Sequence, residues 1–171
     1  MVARIVLANP TYLGQHDSCA AIIEKADKLR VRALAARHKD EAAYGAVVAA
    51  MALPRLSAEE KIVRSNTLQT ALTGAAAAPL EAAELAKLVA VLAERAIALG
   101  NAHLIGDLGT AAEFAQAALN AAAYNVRSNH TYMKDRTVIA HQERELARQE
   151  RETVQLVKRV RFEVARAFAT A

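Results

Sequence analysis

The feature that most constrains this chain is the length of its stretches without proline. Residues 17–53 contain none, and apolar residues recur there every three or four positions, the spacing of one face of an α-helix. At 1.5 Å per residue, this helix would be about 55 Å long. The whole chain of 171 residues has 6 glycines and 3 prolines, too few for the turns of a protein built from many short strands. The sequence therefore predicts an all-α fold.

Three signals place helix boundaries in the middle of the chain. Ser57 and Glu60 have the spacing of a capping box and predict that a helix starts just after Pro54. Gly100-Asn101 suits the left-handed conformation that ends many helices. Between them, Pro79 lacks a peptide N–H and its ring crowds the preceding turn, so a kink or a fresh helix start is expected there.

The remaining segments complete a helical bundle. Residues 1–8 resemble the last two turns of a helix, residues about 107–132 form another, and residues 137–168 form the last. The last segment repeats apolar or small residues every seven positions, at Ile139, Leu146, Thr153 and Val160. This spacing is typical of a helix packed in a bundle. We expect one domain over residues 1–171, an antiparallel bundle of about five long helices. Its alanine-rich faces permit close approach of a second copy, which predicts a homodimer.

The distribution of charge argues against nucleic-acid binding. The chain carries a formal charge of +4, with a pI near 9.4. In its most charged part, residues 141–166, arginines and lysines alternate with glutamates, which is typical of a solvated helix face with ion pairs. A mild positive excess suits an anionic small molecule equally well.

Other classes of site and location are disfavoured by simple counts. Cys19 has no second cysteine to pair with and is expected to be a small buried hydrophobe. The five histidines lack the spacing of helical metal sites, so we expect no metal and no bound cofactor. The longest uncharged stretches, residues 42–54 and 65–80, are shorter than a membrane span. The apolar stretch at the N-terminus is shorter than the apolar region of a signal peptide. The prediction is a cytoplasmic protein without a membrane partner.

Polar residues that a bundle does not need for packing are concentrated in residues 100–135. Asp107 lies at a predicted helix start, where it is either an N-cap carboxylate or a reactive group. Asn125 and Asn129 are four residues apart and share a helix face, so each amide needs a backbone or ligand partner. Arg127 points elsewhere and is either a surface cation or a partner for an anionic ligand tail.

A second acidic position lies in the middle of the long first helix. Asp40 precedes the uncharged stretch of residues 42–54. It either caps the solvated half of the helix or faces an apolar interior, where a carboxyl group is suited to proton transfer.

Four stretches carry short motifs in a fixed order along the chain: Asp40-Glu41-Ala-Ala-Tyr44 with Leu53-Pro54, Ala78-Pro79-Leu80-Glu81, Gly100-Asn101 with Gly106-Asp107-Leu-Gly109, and Ala122-Ala-Tyr-Asn125-Val-Arg127-Ser-Asn129 with Lys134-Asp135. Taken in order, these stretches resemble one enzyme family, that of methenyltetrahydrofolate cyclohydrolase and formiminotetrahydrofolate cyclodeaminase. Each motif is short, but four in the same order are fairly specific. The resemblance implies a helical, dimeric enzyme acting on a tetrahydrofolate derivative.

The resemblance also implies roles for individual residues. Asp107, with Asp40 as second candidate, would exchange a proton during chemistry at the carbon between N5 and N10. Asn125 and Asn129 would position the pterin and that carbon. The further substrate-binding positions implied are Asn101, Gly106, Arg127 and Lys134.

The start of the chain departs from the family pattern. The resemblance predicts a member shortened at its N-terminus, because the family's glycine-rich loop finds no match before Asn9-Pro10. The function expected is hydrolysis of 5,10-methenyltetrahydrofolate to 10-formyltetrahydrofolate. Two alternatives remain open: cyclodeaminase activity, and a binding or assembly module without catalysis.

Overall fold

The computed structural model describes residues 1–169, which form four long helices, one short helix and two 3-10 turns. The α-helices are α1 (Val2–Leu7), α2 (His16–Ala52), α3 (Ala58–Ile97), α4 (Ile105–His130) and α5 (Arg136–Ala169). The 3-10 turns are Pro10–Gln15 and Ala102–Leu104. The described residues include no β-strand, which confirms the all-α prediction.

The predicted helix boundaries agree with their local chemistry. Ser57 Oγ accepts the backbone N–H of Glu60 at 3.1 Å, and the Glu60 carboxylate accepts the N–H of Ser57 at 3.0 Å. The capping box is therefore complete at the start of α3. Just after α3, Gly100 has a φ of 70°, a conformation that a Cβ would disfavour.

Pro79 does not start a new helix, so that alternative was wrong, and the expected kink stays a prediction. α3 is one continuous helix of 40 residues with Pro79 buried inside it. Because Pro79 has no N–H, it cannot make the usual hydrogen bond to the carbonyl of Ala75. The side-chain amide of Asn129, on α4, donates to that carbonyl at 3.0 Å. A neighbouring helix thus replaces the missing donor.

α3, α4 and α5 pack together around a shared buried core. Alanines of α3 and α4, among them Ala83 and Ala123, pack against Leu119 and Leu146. Leu146, Thr153 and Val160 of α5 are fully buried, which confirms the seven-residue pattern. Ion pairs fix the directions: Arg127 pairs with Glu150, and Glu113 pairs with Arg161. Positions rise along α4 as they fall along α5, so these helices are antiparallel.

α2 is held differently, because it packs along α3 with most of its surface exposed. Of its 37 residues, those buried in the described structure are Cys19, Ala36, Val47 and Ala50. Lys39 Nζ lies 2.8 Å from the Glu81 carboxylate, and the Arg64 guanidinium donates to the carbonyl of Met51 at 3.2 Å. α1 joins the start of α2 through an Arg4–Asp27 ion pair at 2.6 Å. This arrangement leaves a long groove beside α2.

Candidate functional site

The groove lies between α2 and α4 and has α3 as its floor. Its volume is about 660 Å³, within the usual range for small-molecule sites. Its wall is largely apolar, and Phe114, Leu85 and Val89 supply larger side chains. The small residues that leave it open include Ala78, Ala82, Ala86, Ala115, Ala118 and Ala122.

Three polar side chains line this groove, and two of them were predicted site residues. Asp40 and Arg37 contribute from α2, and Asn125 contributes from α4. Asp40 and Asn125 are exposed to solvent at the groove, together with Arg37. The sequence separates Asp40 from Asn125 by 85 positions, and the antiparallel packing of three helices brings both to one site. A carboxylate, an amide and a guanidinium beside an apolar floor can orient a polar aromatic ligand.

A second cleft, of about 400 Å³, continues the groove toward α1. The groove and the cleft share Leu29, Ala33, Val89 and Ala111. Asp107 lines the cleft. The other charged side chains there are Arg4, Asp27 and Arg30.

The two predicted catalytic carboxylates therefore lie at different ends of one surface. Asp107 and Asn125 are on the same helix, 18 residues apart, which corresponds to about 27 Å. Asp40 lines the groove together with Asn125, whereas Asp107 lines the cleft. The N-cap interpretation of Asp107 was wrong: the N-cap of α4 is Leu104, and Asp107 is an exposed residue in the first turn.

Arg127 and Lys134 are engaged elsewhere in the fold. Arg127 makes two hydrogen bonds of 2.9 Å to the Glu150 carboxylate on α5. Those bonds raise the pKa of Arg127, with a further contribution from Glu143. Lys134 Nζ donates to the hydroxyl of Ser65 at 3.0 Å. Neither residue lines the groove. Arg127 faces α5, and Lys134, in the connection between α4 and α5, faces α3.

Asn101, Gly106 and Asn129 are also outside the groove lining. The Asn101 carboxamide oxygen accepts the backbone N–H of His103 at 3.1 Å, which caps the 3-10 turn before α4. Gly106 lies near the ring of Phe168. Asn129 donates to the carbonyls of Ala75 and Asn125. Their roles toward a substrate stay predictions.

Sequence reasoning missed two groove residues, Arg37 and Phe114. Arg37 precedes Asp40 by three positions, so the two share a helix face, and that spacing was a usable signal. Phe114 is 72% exposed, although it begins an apolar stretch.

Cys19 is fully buried, as predicted, and burial raises the pKa of its thiol. Within residues 1–169, no group of three or more His, Cys, Asp or Glu side chains is arranged to bind a metal ion. In the same part of the chain, every helix is too short or too polar to cross a membrane.

Comparisons of the sequence and of the fold with known proteins agree on one family. A family model described as formiminotransferase-cyclodeaminase matches residues 1–148. A methenyltetrahydrofolate cyclohydrolase from Methylorubrum extorquens is 32% identical over 146 residues, which are 85% of this chain and 70% of that protein. The crystal structure of formiminotetrahydrofolate cyclodeaminase from Thermotoga maritima superposes with a TM-score of 0.84 at 25% identity. That match covers 96% of this chain and 78% of the other. Both the sequence and the fold therefore show that the chain belongs to the formiminotransferase-cyclodeaminase family.

Proposed function

We propose that this chain is a folate one-carbon enzyme that hydrolyses 5,10-methenyltetrahydrofolate to 10-formyltetrahydrofolate. The relative of 32% identity bears the name of that activity. The observation that supports the proposal most directly is the shared groove of Asp40 and Asn125. It combines a carboxylate, an amide and an apolar floor, which is what a reaction on a planar, cationic ligand needs.

The groove suits the shape and polarity of the substrate. A pterin ring can lie against the alanine floor beside Phe114, where contact with an aromatic ring is favourable. The Asn125 amide offers both a donor and an acceptor to the polar edge of that ring. Arg37, at the same groove, supplies a cation for an anionic part of the substrate.

Asp40 would serve the chemical step in two ways. Its carboxylate balances the positive charge of the bridging carbon, and it accepts a proton as water forms a C–O bond to that carbon. The bond from carbon to N5 then breaks, and Asp40 returns the proton to N5. The remaining hydroxyl proton leaves to solvent, which gives the 10-formyl product.

Cyclodeaminase activity is the second candidate, because the superposed Thermotoga maritima enzyme has that name. In that reaction N10 attacks the formimino carbon, and a proton donor is needed for the departing ammonia. The same carboxylate can donate that proton. The two reactions are distinguished by their substrates. A cyclohydrolase removes the absorbance of added 5,10-methenyltetrahydrofolate, whereas a cyclodeaminase produces methenyl absorbance from added 5-formiminotetrahydrofolate.

The test is an absorbance assay with the purified chain and three variants. Asp40→Asn is expected to lower kcat about 100-fold, a typical value for loss of an acid–base group. Asp107→Asn tests the other carboxylate of the continuous surface. Glu24→Gln is the matched control, because Glu24 is an exposed carboxylate of α2 outside the groove.

Each outcome has a definite meaning. Wild-type rates equal to the rate without protein, for both substrates, would contradict the proposed function. Loss of activity in Asp107→Asn, with Asp40→Asn unaffected, would move the reaction to the cleft. Equal effects of Glu24→Gln and Asp40→Asn would remove the special role of Asp40.

We also propose that the chain forms a homodimer through the open side of α2. Several large apolar side chains of this helix are exposed in the single chain, at Val31, Leu34, Tyr44, Val48 and Met51. Exposed apolar surface of this kind is usually covered by a partner. Light scattering coupled to gel filtration tests this proposal. A dimer mass that Leu34→Glu converts to a monomer mass supports it, and a monomer mass for the wild type contradicts it.

A further inference from the structure

Two of the motifs singled out in the sequence meet at one hydrogen bond. Pro79 belongs to the first motif, on α3, and Asn129 ends the second, on α4. The Asn129 Nδ2 atom lies 3.0 Å from the carbonyl oxygen of Ala75. Ala75 is four residues before Pro79, so its carbonyl is the one that a peptide N–H at position 79 would bond.

The Ala75 carbonyl belongs to a buried part of the structure, where the loss of a hydrogen-bond donor lowers stability. Ala75 is 7% exposed, and Pro79 is buried as well. A buried carbonyl without a donor is costly, because water cannot replace the bond. Asn129 provides the donor from outside the helix, and α3 continues through Pro79 without interruption.

The side-chain amide of Asn129 also contacts the turn of α4 that carries Asn125, the asparagine that lines the groove. Asn129 Nδ2 donates to the carbonyl oxygen of Asn125 at 2.9 Å. The two hydrogens of one NH₂ group thus join Ala75 of α3 to Asn125 of α4. Pro79 and Asn125 both line the groove, whereas Asn129 does not.

We infer that Asn129 is a positioning residue: it replaces the peptide N–H that Pro79 lacks, and so fixes the groove floor relative to Asn125. A proline in the floor removes a backbone N–H and lets the floor keep its shape only while Asn129 is present. The kinetic part of this inference rests on the proposed function, and the structural part does not.

A double-mutant cycle tests the structural part. Asn129→Ala is expected to raise the unfolding equilibrium constant about tenfold, because a buried carbonyl loses its donor. In a Pro79→Ala chain the peptide N–H returns, and the same substitution is expected to change that constant less than about twofold. Asn120→Ala is the matched control, since Asn120 is an exposed asparagine of α4 bonded within its own helix to Gln116.

Each outcome of the double-mutant cycle either supports the inference or overturns it. Equal effects of Asn129→Ala with and without Pro79 would overturn the inference. If Asn129→Ala does not fold alone but folds together with Pro79→Ala, the inference is supported. If the double variant stays unfolded while Pro79→Ala folds, the inference is overturned.

The kinetic test separates positioning from mere stability. A displaced floor is expected to raise KM about tenfold, with kcat per folded molecule changed less than about twofold, and Pro79→Ala is expected to reduce this sensitivity. A purely structural role would lower the active fraction and leave KM unchanged, which would overturn the positioning role. A wild type without turnover or folate binding would overturn the proposed function and the groove part of the inference. The stability cycle would then still decide whether Asn129 replaces the missing N–H.

Discussion

The two sides of α3 are packed in opposite ways. On the side of α5, Lys87 lies 3.1 Å from Glu152 of that helix, and Glu94 pairs with Arg159. On the side of α2, a single ion pair between the two helices, Lys39–Glu81, is found among the described residues. α5 buries its apolar face along several turns, and α2 leaves most of its surface open.

The difference separates the helices that pack closely in this structure from the helix that borders an open groove. The α3, α4 and α5 helices form a closely packed unit that holds Asn125 in a defined place. α2 presents Asp40 and Arg37 across a gap that small side chains leave unfilled. Rigid support on one side and an open groove on the other is the usual arrangement of a binding site.

The largest expected contrast is in core packing. Leu146→Ala, on the fully buried face of α5, should lower the free energy of unfolding by about 3 kcal/mol, because it leaves a cavity. Leu34→Ala, on α2 and 54% exposed in the single chain, should change it by less than about 0.5 kcal/mol when measured at a protein concentration low enough for the chain to be monomeric. Urea denaturation measures both. Equal losses in the free energy of unfolding would contradict the contrast between α5 and α2. An effect of Leu34→Ala that grows with protein concentration would show that a second copy of the chain packs on α2.

The next contrast concerns a buried lysine and an exposed one. Burial lowers the pKa of Lys87, but hydrogen bonds to Glu84 and Glu152 outweigh it, and the pKa is raised overall. Lys87→Met should cost about 1–2 kcal/mol, because it removes the partner of the partly buried Glu84 carboxylate, whereas Glu152 keeps its pair with Arg148. Lys28→Met, at an exposed pair within α2, should have no measurable effect. A stabilising Lys87→Met would mean that the charges only offset their own desolvation.

Glycine positions give a smaller test of the same comparison. A Cβ at Gly45 of α2 would meet nothing within 4 Å, whereas a Cβ at Gly109 of α4 would lie 3.2 Å from Val164 of α5. Gly45→Ala should therefore add about 0.5–1 kcal/mol of stability, from helix propensity alone. Gly109→Ala should gain less, because Val164 must move. Thermal unfolding measures both, and equal gains would show that α4 and α5 are not closely packed there.

The smallest effect expected is an acid loss of stability on the α5 side. A hydrogen bond from Lys87 lowers the pKa of Glu152, and one from Arg148 lowers the pKa of Glu145. A carboxyl whose pKa is lowered by folding stabilises the fold above its ordinary value of 4.5, and this is lost as the pH falls below it. Melting temperatures between pH 7 and 3 should fall less steeply for Glu152→Gln. An unchanged slope would mean that solvent screens the pair completely.

Much of the architecture was predictable because it depends on local chemistry. The capping box at Ser57, the positive φ of Gly100 and the seven-residue repeat of α5 each follow from residues close in the sequence. The family was predictable as well, from four short motifs in order. These signals need no knowledge of which helix packs on which.

The candidate site was predictable only in part, because its members come from three helices. The motifs singled out Asp40 and Asn125 separately, and their common place in the groove follows from the antiparallel packing of three helices. Asp107 lay in the same motif set and lines the neighbouring cleft instead. Arg127 was indistinguishable from a ligand-binding cation until Glu150 was seen opposite it.

Pro79 shows which property of α3 follows from the sequence and which depends on the tertiary structure. Sequence alone determined that a proline at this position removes a hydrogen bond from α3, since that follows from its covalent structure. Whether the helix would end there was decided by the tertiary structure, because the replacement donor, Asn129, is 50 residues away on another helix. A local rule states which bond is lost, and only the packing of α3 against α4 decides which group replaces it.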